Sequence, residues 1–168
     1  MRALVLIVLT ACGGSSSPKP AAPAVAAVEP GRCAFETDGI EVSILAPGAR
    51  AEKQALTTLV RSGIIQLSVN AKPDDQKPSM ITAVRDGVER LRGAGYVILH
   101  DTTGTPPVLA QAVAQKDNLV AGSVLVDGEK LLVCSFELDA GGAWKAAVDM
   151  CSSLRAAGAA PPCTPRAS

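Results

Sequence analysis

An α+β fold, with antiparallel hairpins covered by helices, is predicted by three features of the chain. Asp38-Gly39 and Asp127-Gly128 each sit between apolar runs, which is the chemistry of a tight hairpin turn. The spacing Ile81, Val84, Val88 and Leu91 is helical. The stretch around Asp127-Gly128 is apolar on both faces, so a strand pair there needs cover on each side. At 168 residues the chain is one domain's worth. Its core must be aliphatic, because Phe35, Tyr96, Phe136 and Trp144 are the only aromatic residues. Sixteen basic side chains balance sixteen acidic ones, which disfavours nucleic-acid binding. The scarcity of aromatic residues likewise disfavours an aromatic-lined sugar or base site.

The elements follow in order. Cys33–Thr37 and Ile40–Leu45 form the first hairpin, with Phe35 and Val42 on one face and Cys33 and Ile44 beside them; Pro47-Gly48 closes it. Residues 49–62 fit a helix through Ala55, Leu56, Leu59 and Val60, or a strand through Thr57-Thr58 and Leu59-Val60 that turns at Arg61-Ser62-Gly63. Ile64–Val69 is a strand, and residues 72–77 are a polar loop. A helix spans Pro78–Arg92, with Pro in its first turn and Gly93 and Gly95 at its end. Tyr96–His100 is a strand and Thr102–Pro107 a loop. Val108–Gln115 is a strand or a short helix. Leu119–Val126 and Glu129–Leu138 are strands joined through Asp127-Gly128. A two-residue turn places Leu119, Ala121, Leu125, Leu132, Cys134 and Phe136 on one face, and Val120, Val124, Val126, Leu131 and Val133 on the other. A closing helix runs from Ala143 to Ala157, burying Trp144, Ala147, Val148, Cys151 and Leu154, and Gly158 ends it.

This order of elements resembles the PsbP-like fold: an opening hairpin ending in Pro, a second hairpin and helix, a three-strand meander and a closing helix. The resemblance covers most of residues 33–158 and implies that residues 49–62 and 108–115 are strands. It transfers no activity, because a shared fold does not carry function.

The start of the chain speaks to location. Met1-Arg2 precedes the apolar run Ala3–Leu9, and Leu9-Thr10-Ala11-Cys12 follows, before an abrupt change to Gly and Ser. The apolar run is less than half the ~20 residues a membrane-spanning helix needs, and it suits a signal peptide. The four closing residues resemble the lipobox of bacterial lipoproteins. That resemblance implies cleavage after residue 11 and acylation of Cys12, whose two or three fatty acyl chains anchor the mature protein to a membrane. Gly13 in place of Asp points to the outer membrane, facing the periplasm, if the cell is Gram-negative. Loss of residues 1–11 removes Arg2 and leaves 15 basic against 16 acidic side chains, with no polybasic stretch to assist anchoring. Residues 12–32 form the anchor and a Pro-, Ala- and Ser-rich tether that reaches ~60 Å at ~3.1 Å per residue. Residues 33–163 are the single domain and 164–168 a tail.

Patterns for chemistry are sparse. His100-Asp101 is the one His–carboxylate neighbour pair, and adjacent strand residues point to opposite faces, so Asp101 is badly placed to orient the imidazole. The cysteine spacings match no zinc motif, Asp74-Asp75 lacks calcium-loop spacing, and no Gly-rich stretch continues into Gly-Lys-Ser/Thr. The residues therefore call for no metal or cofactor. Two function classes follow. One is an envelope lipoprotein whose non-catalytic domain binds or scaffolds an envelope protein. The other is an envelope enzyme built around His100 and the Thr102–Pro107 loop, for which a pocket uniting His100 with a Ser or Thr hydroxyl would speak.

With Cys12 acylated, four cysteines remain for the oxidising exterior, and four allow three connectivities. If the closing helix packs on the Leu132/Phe136 face, Cys134 meets Cys151, and Cys33 and Cys163 tie the ends of the domain. The competing pairing joins Cys33 to Cys151. In a third alternative Cys134 and Cys151 stay reduced as small buried hydrophobes.

Overall fold

The structure is a computed structural model that describes residues 28–164. The signal peptide, the lipobox with Cys12, tether residues 12–27 and tail residues 165–168 lie outside the described residues. Among the described residues ten strands and two α-helices form a mixed α+β domain. The strands are β1 (Arg32–Thr37), β2 (Ile40–Leu45), β3 (Arg50–Gln54), β4 (Thr57–Ser62) and β5 (Ile65–Lys72). After α1 (Lys77–Gly93) come β6 (Val97–Thr103), β7 (Val108–Lys116), β8 (Leu119–Val126) and β9 (Leu131–Asp139). The chain closes with α2 (Trp144–Ser152) and β10 (Arg155–Ala156). Two antiparallel sheets result. One has the order β1-β2-β10 and the other β3-β4-β5-β9-β8-β7-β6.

The first hairpin turns tightly because Asp38 and Gly39 both take positive φ, 47° and 77°, as a two-residue turn matching strand twist requires. Cys33 then faces Ile44, and Phe35 faces Val42. Buried hydroxyls fasten this hairpin to the larger sheet. Thr37 Oγ1 donates to Val69 O at 3.1 Å and Thr58 Oγ1 to Glu36 O at 2.8 Å, while Asp38 Oδ2 accepts from the Ala71 N–H at 2.7 Å. Residues 49–62 form β3 and β4, and residues 108–116 form β7.

Both faces of the large sheet are covered in its β6–β9 half. The small sheet and α2 lie on one face, over a core that includes Ile44, Val60, Leu67, Val69, Val124, Leu132 and Cys134. On the opposite face α1 packs Met80, Ile81 and Val84 over Leu109, Leu125 and Leu131. Val88 is the one fully buried residue of that helix.

Three sequence expectations are corrected. The β8–β9 connection is not a two-residue turn. Val126 pairs with Leu132, so residues 127–131 lie between the paired positions. Asp127 is drawn out of a tight turn by two contacts: its N–H donates to Pro107 O at 2.6 Å, and its carboxylate lies 2.5 Å from Lys77 Nζ. Asp127 and Asp74 together raise the Lys77 ammonium above the ordinary lysine range. The longer loop shifts the register by an odd number, which exchanges the faces of one strand against the other. Val124 and Val126, rather than Leu125, therefore share a face with Cys134 and Leu132.

The closing helix ends at Ser152, not Ala157. Ser153 Oγ accepts from the Leu45 N–H at 2.8 Å and Arg32 donates to Ser153 O at 2.8 Å. Arg155 and Ala156 then leave helical geometry to pair with Ser43 and Val42 of β2. Leu154 is buried beyond the helix rather than within it, and Gly158, at φ 57°, lies in a turn after β10. Finally, Thr102 and Thr103 belong to β6, so the loop before β7 is shorter than expected. At the other end of the domain, Arg32 opens β1 and is itself buried, with Glu29 accepting from its guanidinium at 3.0 Å.

Candidate functional site

His100 stands on β6, the edge strand of the large sheet. The β6–β7 register shifts between Ile98 and His100, and Leu99 at that irregularity packs toward the core. Bulges of this kind re-aim the side chains beside them. Beyond it His100 faces Val113 and Thr102 faces Gln111, on the side covered by α2. A hydrogen-bonded series runs inward from the imidazole. Gln111 Oε1 lies 2.6 Å from His100 Nε2, Gln111 Nε2 donates to Ser152 Oγ at 2.9 Å, and Ser152 Oγ donates to Val148 O at 2.7 Å. Trp144 brings its ring centroid to 6.3 Å from that of His100, tilted by 39°. His100, Gln111, Trp144, Lys145, Val148 and Asp149 line an open cleft of about 310 Å³.

Among the described residues no Ser or Thr lines this cleft, and the two hydroxyls beside it are poorly placed for nucleophilic catalysis. Gln111 presents its carbonyl oxygen to Nε2, so the neutral ring holds its proton there and its lone pair on Nδ1. Thr102 Oγ1 lies 3.4 Å from that same Nε2, the nitrogen with no lone pair to receive its proton. The Ser152 hydroxyl is separated from the ring by Gln111 and gives its proton to a helix carbonyl. A Ser–His dyad needs direct hydrogen-bond reach between nucleophile and base. Asp101 projects the other way, 3.4 Å from Arg92 of α1, and does not orient the imidazole. The cleft presents a half-buried indole and flanking charges of both signs, Lys145 and Asp149.

The series also contributes to stability. Gln111→Ala strands Ser152 and His100 without their amide partner, and a partly buried network of this size is worth about 1 kcal/mol per lost bond. A fall of about 1–2 kcal/mol in urea unfolding free energy is expected; no change in midpoint would mean that solvent already shares these groups.

The four domain cysteines form two disulfides. Cys33 is bonded to Cys163 across 130 residues, with Cα atoms 4.8 Å apart, and Cys134 to Cys151 across 17 residues, at 5.6 Å. Neither Gln111 nor Ser152 carries a sequence signal, because pairing of β6 with β7 and docking of α2 create their proximity. Trp144, expected in a buried stripe, is instead half-buried at the cleft. Among the described residues no three His, Cys, Asp or Glu side chains gather as a metal site requires, and no helix is long and apolar enough to cross a membrane.

Fold and site together define a disulfide-bonded α+β domain with shallow clefts. No protein-family model matches the chain, and neither does any curated protein.

Proposed function

We propose that the protein is an exported envelope lipoprotein, anchored through acyl chains on Cys12, whose domain binds an envelope protein rather than catalysing a reaction. Leu9-Thr10-Ala11-Cys12 directly after a short apolar run is the observation that carries this reading. The two disulfides agree with an oxidising compartment. Neither nearby hydroxyl is placed to pass its proton to the free ring nitrogen of His100, which favours binding over nucleophilic catalysis at that cleft. Outer-membrane residence facing the periplasm follows from Gly13 if the cell is Gram-negative.

The test is Cys12→Ala. Mass spectrometry of the wild-type N-terminus is expected to show a diacylglyceryl-modified Cys12 as the first residue. The variant is expected to lack the acyl chains and to stay uncut where lipoprotein signal peptidase is the sole processor. An unmodified Cys12 in the wild type refutes the anchor. Crosslinking in intact cells then addresses the partner; repeated recovery of the protein alone would count against a binding role.

A further inference from the structure

We propose that Arg50 and Arg61 form a site for the phosphate of an anionic phospholipid headgroup, at the end of the domain where the anchored segment joins it. The proposal rests on the lipoprotein reading for its choice of ligand. Its physical starting point is the β3–β4 register, which sets Arg50 directly opposite Arg61. Side chains so placed share a face with Cβ atoms about 4.5–5.5 Å apart, and like charges in that position destabilise a sheet. Nothing between them relieves the repulsion fully. Arg61 Nε donates to Gln66 Oε1 at 2.8 Å, which fixes the direction of its fork, and Arg61 Nη1 stands 4.0 Å from Glu52. Arg50 makes no ion pair among the described residues. Both arginines line an open cleft of about 330 Å³ with Gly48, Glu52, Leu59 and Gly63. Among the described lining residues two guanidinium groups stand against one carboxylate, which leaves a positive charge for an incoming oxyanion, and the planar fork suits the paired oxygens of a phosphate.

Position selects the headgroup as the occupant. Gly48 borders this cleft and also the hollow lined by Gly31, Arg32, Pro162 and Thr164. The Ala46 N–H donates to Gly31 O at 3.0 Å, and Arg50 forms a bridge with Thr164. The chain thus enters the domain beside the arginine pair, and residues 13–27 are all that separate Cys12 from the first described residue. An acylated Cys12 keeps this end within tether reach of anionic lipid. Along the sequence the two arginines are eleven positions apart and form no basic run, so the patch exists only once the hairpin folds.

The test uses the full chain carrying Cys12→Ala, so that headgroup binding is measured without acyl chains; acylation itself is decided separately on the wild type. Sedimentation with phosphatidylcholine vesicles is compared with and without added phosphatidylglycerol, at low salt. The apolar leader is common to every protein and vesicle compared. Arg50→Gln/Arg61→Gln is expected to lose roughly 30-fold in partitioning to the anionic vesicles. Arg85→Gln/Arg90→Gln, with the same charge change on α1, is expected to retain it. The hairpin variant is also expected to melt no lower than its parent in low-salt chloride, because a like-charge contact is relieved. No loss in the hairpin variant, or an equal loss in the α1 variant, overturns the site. A melting-temperature rise with inorganic phosphate that depends on Arg50 and Arg61, without any preference for phosphatidylglycerol, assigns the pair to free phosphate and overturns the lipid assignment.

Discussion

Replacing Cys33 and Cys163 together by serine is expected to lower the unfolding free energy by about 2–5 kcal/mol. The bond closes a loop of 130 residues, for which chain entropy alone gives roughly 5 kcal/mol, against roughly 3 for the 17-residue loop of Cys134–Cys151. Set against a total of about 5–15 kcal/mol for a typical domain, that is a large share. The bond also holds a strap in place. The Cys163 N–H donates to Ala34 O and the Ala34 N–H to Pro161 O, each at 2.7 Å, so the end of the domain lies along β1 without belonging to a long strand. A strap held by these two bonds and the single bridge of Thr164 to Arg50, with little apolar burial, has few other means of staying docked. Urea titration of the oxidised wild type and of the serine pair measures the difference. Loss of exchange protection at the Ala34 and Cys163 amides should accompany it. An unchanged urea midpoint would mean that the serine-substituted strap stays docked without the bond.

The sequence was most readable where a local signal has one structural answer. Asp38-Gly39 required positive φ at both positions and has it. The stripe Ile81, Val84, Val88, Leu91, bounded by Pro78 and Gly93, gave a helix of nearly the expected length. Asp127-Gly128 has the same chemistry as Asp38-Gly39 yet forms a longer loop. The difference is tertiary: Lys77 and the Pro107 carbonyl compete for Asp127, and neither is near it in sequence. The closing helix was overextended for a related reason, since Leu154 continues the apolar spacing while β2 captures Arg155 and Ala156. Ambiguity over residues 49–62 came from Ala, Glu, Lys and Gln, good helix formers that sit here in an exposed edge strand where packing decides little. The cleft was legible only as far as His100, and the divergence of Asp101 from it was foreseeable from strand alternation. Gln111, Ser152 and the Arg50–Arg61 pair depend on register and helix docking, which pattern reading along one chain does not supply.

Gly122→Ala is the second substitution with a large expected cost. Gly122 lies opposite Phe136 in the β8–β9 register. A Cβ at that position would stand 2.2 Å from Phe136 Cζ and within 2.8 Å of both Cε atoms, so the ring lies across the glycine and occupies the space a side chain needs. Phe136 is 4% exposed and packed within the core beneath the small sheet and α2, which leaves the ring little room to swing away. Overpacking a close-packed interior costs about 1–3 kcal/mol. The entropy that alanine removes from the unfolded chain offsets about 0.4–1 kcal/mol of that. A net loss of about 1–2 kcal/mol is expected from these two terms. The cause can be separated from a general intolerance of β8 by a double-mutant cycle. Phe136→Leu alone should destabilise, because it shortens a buried side chain. In the Gly122→Ala background it should cost much less, since the smaller side chain frees the space the new methyl needs. A coupling of about 0.5–3 kcal/mol is the range for residues in direct contact. If the two losses simply add, the ring is not what excludes a side chain at residue 122, and the glycine must be explained by the backbone of β8 alone.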